Sequence, residues 1–409
     1  MRWKVLLLLC SAAILLAGCA PLIGLWVGQM WYPRTFAVAL GDLDGDGDLD
    51  AYIGNGHTDD TGSPDEVWLN QGDGTFHDSA QSLADPCCNS NDTRDLALAD
   101  LDLDGDLDAL AAEYNGYNAL WANTGPAVFQ GNGAKISLPE GVSTYNTLAV
   151  AVGDLNGDGA PDAVFADCCT VTIPSQPGHP NVQQWDPYLS AWLNDGQARF
   201  TSTNQFLGPL DARDLALGDL DLDGDLDILV AARDNNLIWW NGPGEQGLGT
   251  FAVADQTLGA DGQALALGDV DADGDLDALI GGQGEARLWL NDAGRFHEAL
   301  TLPSEGDTLL VALQDLNGDG ILDAFIAAQT GAAFWLNDST GGFHRLAQRL
   351  TYSDRTIPAL GDVNGDGFPD VFLYEYEAGY QTWLNAGPEK NGQAHFELYA
   401  RGKPARKVE

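Results

Sequence analysis

Seven stretches of the chain place oxygen-bearing side chains at alternate positions, the spacing that a hard cation asks of a tight loop. They read DLDGDGDLD from Asp42, DLDLDGDLD from Asp100, DLNGDGAPD from Asp154 and DLDLDGDLD from Asp219. DVDADGDLD from Asp269, DLNGDGILD from Asp315 and DVNGDGFPD from Asp362 complete the set. Positions 1, 5 and 9 are Asp in every copy, position 3 is Asp or Asn, and position 6 is Gly. The candidate ligands are Asp42, Asp44, Asp46 and Asp50; Asp100, Asp102, Asp104 and Asp108; Asp154, Asn156, Asp158 and Asp162; and Asp219, Asp221, Asp223 and Asp227. The later loops add Asp269, Asp271, Asp273 and Asp277; Asp315, Asn317, Asp319 and Asp323; and Asp362, Asn364, Asp366 and Asp370. Gly at position 6 supplies the positive φ that turns the chain around the ion. Position 7 would offer its carbonyl, which leaves its side chain free to vary between Asp48 and Phe368. An EF-hand loop begins alike but closes with Glu at position 12, whereas Asp closes these loops at position 9 with no helical pattern beside them. The expectation is structural Ca2+, one ion in each of the seven loops.

The segments that must hold these loops are strand-like. Short apolar runs such as Phe36–Leu40 and Leu265–Leu267 precede them, and DAYIG, DALAA, DAVFA, DILVA, DALIG, DAFIA and DVFLY follow. Strand, loop and strand make a cation-pinned hairpin, with the apolar or Pro residue at position 8 packing inward. A third strand carries Trp (VWLN at Val67, LWAN at Leu120, AWLN at Ala191, IWWN at Ile238, LWLN at Leu288, FWLN at Phe334, TWLN at Thr382). A fourth opens on Phe76, Phe129, Phe200, Phe251, Phe296, Phe343 or Phe396. These Trp and Phe residues read as core. Four strands per unit, recurring every 46 to 65 residues, are the signature of propeller blades. The fold expected is all-β: a seven-bladed β-propeller over residues 34–402, followed by a basic tail at 403–409.

The net charge of −43 excludes nucleic acid as a partner. Positions 1, 3, 5 and 9 hold 25 Asp and 3 Asn, and seven divalent ions would bring the charge to −29. Arg2 and Lys4 followed by apolar Val5 to Leu16 form a targeting segment. Leu16-Ala17-Gly18-Cys19 resembles the lipobox of bacterial lipoprotein signal peptides, which implies cleavage after residue 18 and acylation of Cys19, with 19–33 as tether. Because Pro21 to Trp31 stays apolar, an uncleaved anchor over Val5 to Trp31 is the rival reading; simple secretion is the third. All three place the domain outside the cytoplasm; the anchored readings place it at the cell envelope or outer surface. Cys87, Cys88, Cys168 and Cys169 suggest disulfides in an exported chain, either between the doublets or within them.

The DxDxDGxxD loop with its WLN and Phe followers resembles the FG-GAP or VCBS repeats of the integrin α-chain propeller and of many exported bacterial proteins. The resemblance covers essentially the whole mature chain. It implies that the loops bind calcium on one face of a disc and that the opposite face meets ligands. On that implied topology both cysteine doublets share the opposite face at neighbouring blades. The long insertion from Ala166 to Leu189 joins them there, as do Tyr114, Tyr117, Trp185, Tyr188, Tyr376 and Tyr380. Tyr145 and Tyr374 are read into the same loops. Exposed loop aromatics often serve recognition.

The sequence offers no nucleophile elbow, no HExxH and no phosphate-cradling Gly motif, and the repeat carboxylates are committed to metal. The function expected is an exported, surface-anchored, monomeric calcium-binding propeller acting as an adhesion or protein-interaction module. The alternatives are a lectin-like carbohydrate binder and, behind it, a polysaccharide-active enzyme. The partner is an extracellular protein or glycan.

Overall fold

The structure, a computed structural model of the chain, describes residues 34–56, 63–84, 92–114, 116–136, 146–167, 170–173, 182–185, 187–208, 210–242, 248–329, 331–338, 342–376, 378–388 and 393–403. The targeting segment with Cys19, the four later cysteines (Cys87, Cys88, Cys168, Cys169), Tyr145 and the tail from residue 404 lie outside the described residues. No helix among the described residues is long and apolar enough to cross a membrane.

Every regular element described is a strand. The first unit is β1 (Arg34–Gly41), β2 (Asp50–Gly56), β3 (Glu66–Asn70) and β4 (Phe76–Asp78). The second is β5 (Thr93–Ala99), β6 (Asp108–Glu113), β7 (Ala119–Asn123) and β8 (Phe129–Lys135). In the third, β9 (Thr147–Gly153) and β10 (Asp162–Asp167) are separated from β13 (Tyr188–Asn194) and β14 (Phe200–Leu207) by a ribbon of β11 (Thr170–Ile173) and β12 (Val182–Trp185). The fourth is β15 (Ala212–Gly218), β16 (Asp227–Ala232), β17 (Leu237–Asn241) and β18 (Phe251–Thr257). Then come β19 (Ala264–Gly268), β20 (Asp277–Gly281), β21 (Gln283–Leu290), β22 (His297–Gln314), β23 (Asp323–Ala328), β24 (Gly331–Asn337) and β25 (Phe343–Thr351). The chain closes with β26 (Thr356–Gly361), β27 (Asp370–Glu375), β28 (Gly379–Asn385) and β29 (Phe396–Gly402).

Among the described residues these strands form five four-stranded sheets, one seven-stranded sheet (β19 to β25) and the two-stranded ribbon, all paired antiparallel. The seven-stranded sheet arises because β22 runs 18 residues without a break. Its first half pairs with β21 and its second half with β23. One strand thus ends one unit and begins the next. The spacing from Asp269 to Asp315 is the shortest between loops.

Second strands are buried along their whole length in β2, β6, β10, β16 and β23. A neighbouring sheet covers each face, which is why these segments read as unbroken apolar runs. Outer strands such as β18 alternate buried and open residues, with one face in water. Between successive units lie apolar clusters, each drawn from two neighbours, that run in sequence order from the first unit to the last. A further cluster returns to the start: Val38, Ile53, Trp68 and Phe76 pack on Ile357, Phe372, Tyr374 and Tyr380. First strands touch one another at the centre, β1 meeting both β5 and β26. The cycle is closed.

The Trp and Phe residues take the core places expected of them. Trp68, Trp121, Trp192, Trp289 and Trp335 are buried, as are Phe76, Phe129, Phe251, Phe296, Phe343 and Phe396. Trp239, Trp383 and Phe200 are partly buried and pack on the same clusters.

Candidate metal centres

Each acidic loop joins the first strand of a unit to the second, and its shape follows from its own side chains. The position 1 carboxylate accepts the position 6 amide: Asp42 from Gly47 at 3.1 Å, Asp154 from Gly159 at 2.8 Å and Asp315 from Gly320 at 2.7 Å, with the same bond in the other loops. Position 6 has φ between 85° and 102° throughout, a region open to Gly without strain. Position 4 is left-handed as well, although it is Leu103, Leu222 or Ala272 in three loops. That requirement escapes a reading of the spacing alone, because only four of the seven copies mark it with Gly.

Position 9 ties the loop to the sheet. Its Oδ2 accepts the position 2 amide at 2.9–3.0 Å in all seven loops. Its Oδ1 accepts the backbone N–H of the Asn that ends the third strand, at 2.7–2.9 Å. That Asn is the functional residue that sequence reasoning passed over while attending to the Trp before it. Its Nδ2 donates to the position 2 carbonyl of the preceding unit: Asn123 to Leu43, Asn194 to Leu101, Asn241 to Leu155, Asn291 to Leu220, Asn337 to Val270 and Asn385 to Leu316. Asn70 donates to Val363 at 2.7 Å and so joins the first unit to the last. Every loop is thereby bonded across a seam.

Burial drives the position 9 carboxyls upward, and the backbone N–H donors oppose the shift without cancelling it. Asp50, Asp227, Asp323 and Asp370 rise to about 7, and Asp108, Asp162 and Asp277 to about 6. At position 3, Asp44, Asp102, Asp221 and Asp271 are raised first by burial and then by the charge of the next Asp. These loops carry like charges at close range with nothing of opposite sign in the loop.

A divalent cation fits that arrangement. Carboxylate oxygens of Asp42, Asp44 and Asp50, of Asp100, Asp102 and Asp108, and of Asp219, Asp221 and Asp227 lie within 4.8 Å of one another. In the fifth loop the group is Asp269, Asp271 and Asp273. Oxygens about 2.3–2.6 Å from a shared Ca2+ would be spaced in this way. Asp102 Oδ1 in the second loop and Asp219 Oδ1 in the fourth are buried and accept no hydrogen bond, and a cation in each loop would satisfy them. The donors are all oxygen, which suits calcium rather than a softer metal. In the third, sixth and seventh loops position 3 is Asn, and its amide donates to the position 5 carboxylate: Asn156 to Asp158, Asn317 to Asp319 and Asn364 to Asp366 at 2.9–3.0 Å.

The expected recognition aromatics divide. Tyr188 and Tyr380 are not the exposed loop aromatics expected: they are 5% and 3% exposed, because they stand at the start of strands β13 and β28 and pack into the sheets. Tyr380 Oη accepts the amide of Phe76 at 2.9 Å, and Tyr374, fully buried, donates to Glu66 at 2.7 Å. Tyr114, Tyr117 and Tyr376 are partly exposed. The Arg94 guanidinium lies 4.7 Å from the Tyr114 ring and 4.0 Å from that of Phe36, and pairs with Asp92 at 2.9 Å. Trp185 sits on β12.

The described architecture is similar to that of solved structures with little sequence in common. The complex of BBS1N with ARL6DN matches at a TM-score of 0.53 and 12% identity, over 88% of this chain and 93% of that one. An Agrocybe aegerita lectin solved for its recognition of non-reducing terminal N-acetylglucosamine matches at 0.50 and 18% identity, over 80% and 82%. A search of curated proteins returned no match. The FG-GAP-like repeat profile matches residues 42–111, 100–165, 219–280, 269–326 and 315–373, each match running from one acidic loop into the next unit. These matches span more than half of the sequence, and the chain belongs to the FG-GAP-like repeat family.

Proposed function

We propose that the protein is a seven-bladed, calcium-stabilised propeller that acts as a protein-interaction or adhesion module at the cell surface. The blade count rests on the closed cycle of apolar seams and on the amide bond that crosses each of them, with β22 divided between the fifth and sixth blades. The domain runs over 34–402; residues 1–18 are a signal peptide, Cys19 carries lipid, and 19–33 form the tether, so that the molecule is exported and membrane-anchored. Calcium has a structural role, and the repeat carboxylates serve it rather than proton transfer.

The observation that carries the interaction reading is the β11–β12 ribbon. It enters between β10 and β13 at the end of the sheet opposite the acidic loops, and no other unit has a counterpart among the described residues. One end of the ring is therefore asymmetric, which favours one extended partner over a set of equivalent sugar pockets. A lectin role is the second reading, prompted by the N-acetylglucosamine-binding neighbour. The test is binding of the full-length chain, in calcium, to a broad glycan array and to intact cell-surface protein. The expected result is a blank array beside saturable, calcium-dependent binding to protein. A saturable sugar signal would overturn the interaction reading in favour of the lectin.

A further inference from the structure

The seven loops are of two kinds, and two independent positions, 3 and 7, sort them identically, with position 4 following in six of the seven. Position 3 is Asp44, Asp102, Asp221 or Asp271 in the first, second, fourth and fifth loops, and Asn156, Asn317 or Asn364 in the others. Position 7 is Asp48, Asp106, Asp225 or Asp275 in that first group, and Ala160, Ile321 or Phe368 in the second. Position 4 is Gly throughout the second group, where φ is 71–77°, but Leu103, Leu222 or Ala272 in three loops of the first. The first group thus carries five carboxylates per loop and the second group three.

The geometry divides the same way. In the Asn loops the position 3 amide holds the position 5 carboxylate at 2.9–3.0 Å, so one of its oxygens is already satisfied from within the loop. Taking up a cation there means breaking that bond and turning the amide over to present its oxygen. In the Asp loops no such donor exists, carboxylate oxygens gather within 4.8 Å, and Asp102 Oδ1 and Asp219 Oδ1 have no partner.

Building on the calcium reading above, we propose that the loops load in two tiers, the first, second, fourth and fifth binding calcium tightly and the third, sixth and seventh weakly. Charge count at the ligands sets calcium affinity over decades in loop sites of this kind. The weak tier does not fall at random around the ring. Each loop's position 2 carbonyl receives the next unit's Asn, so the third, sixth and seventh loops hold Asn241, Asn385 and Asn70. The last of these is the bond between the two ends of the chain. Intermediate calcium therefore leaves three inter-unit contacts, ring closure among them, at loops without an ion, and full calcium completes them.

The experiment is a calcium titration of the full-length chain, stripped of metal and followed by direct counting of bound ions. Two classes are expected, four ions then three, with dissociation constants at least about tenfold apart. Asp221→Asn combined with Asp225→Ala, which leaves three carboxylates in the fourth loop, should move one ion from the tight class to the weak one; Asn156→Asp combined with Ala160→Asp, which gives the third loop five, should move one the other way. Seven equivalent sites, or counts that neither double substitution changes, would overturn the two-tier proposal while leaving calcium binding intact. No uptake at all would contradict the calcium reading itself.

Discussion

The residue that makes this design work is the Asp at position 9, because it belongs to the loop and to the sheet at once. It is inaccessible to solvent, at most 1% exposed in all seven copies. Both of its oxygens take backbone amides that would otherwise be orphaned, at a cost of about 1–3 kcal/mol each. Its burial has a consequence for pH. A carboxyl whose folded pKa is raised above the unfolded value near 3.9 contributes stability that is complete below that value and is lost as pH rises through the folded pKa. The position 9 carboxyls stand at about 6 to 7. Asp95 and Asp167, buried elsewhere in the sheets, stand at about 7 and about 6 for the same reason. In chelator, the melting temperature is expected to fall steadily as pH goes from 5 to 8, and excess calcium should flatten that slope by holding the ionised form. A chelated protein that melts higher at pH 8 than at pH 5 would contradict the sign.

At the scale of elements, the ring closes by different chemistry from that used between its inner members. At several seams a Gln of one unit accepts the Phe amide that opens the next unit's fourth strand: Gln81 for Phe129, Gln205 for Phe251 and Gln348 for Phe396, at 2.9–3.0 Å. Between last and first units Tyr380 takes that place, within an aromatic group of Trp68, Phe76, Phe372 and Tyr374. Thr382 adds a bond to the Gly74 carbonyl at 2.8 Å. Tyr380→Phe keeps the ring packing and leaves the buried Phe76 amide unpaired. It should cost about 1–3 kcal/mol in a denaturant titration, and an unshifted midpoint would show that the hydroxyl does not bear on closure.

Much of this architecture is legible in the sequence, and what is not fails for definite reasons. Position 6 Gly, the loop spacing and the Trp and Phe registers are local patterns, and they repeat. The WLN Asn also repeats, but its acceptor is a carbonyl on the preceding unit, 67 residues away in the case of Asn337 and Val270, so its role exists only once the ring is assembled. The topology implied by the resemblance places Tyr374 and Tyr380 in loops. In fact Glu375 pairs with Gly379 and the hairpin is nearly as tight as one can be. The fusion of two units through β22 leaves only a short spacing as its trace.

For the whole molecule, 29 of the 61 acidic residues behind the net charge of −43 lie in the acidic loops at one end of the ring, and each of those loops is bonded to a seam. On the calcium reading proposed above, metal binding and ring integrity are one property. With dissociation constants averaging ~10⁻⁴ M over the two tiers, millimolar calcium stabilises by about 1.4 kcal/mol per site on average. Seven sites sum to roughly 10 kcal/mol, comparable with the whole stability of a domain. The most direct test is thermal unfolding of the full-length chain at pH 7.5 in millimolar calcium and in excess chelator. Removal of calcium is expected to lower the melting temperature by on the order of 10 °C. Superimposable melting curves would contradict the claim that calcium holds this ring together.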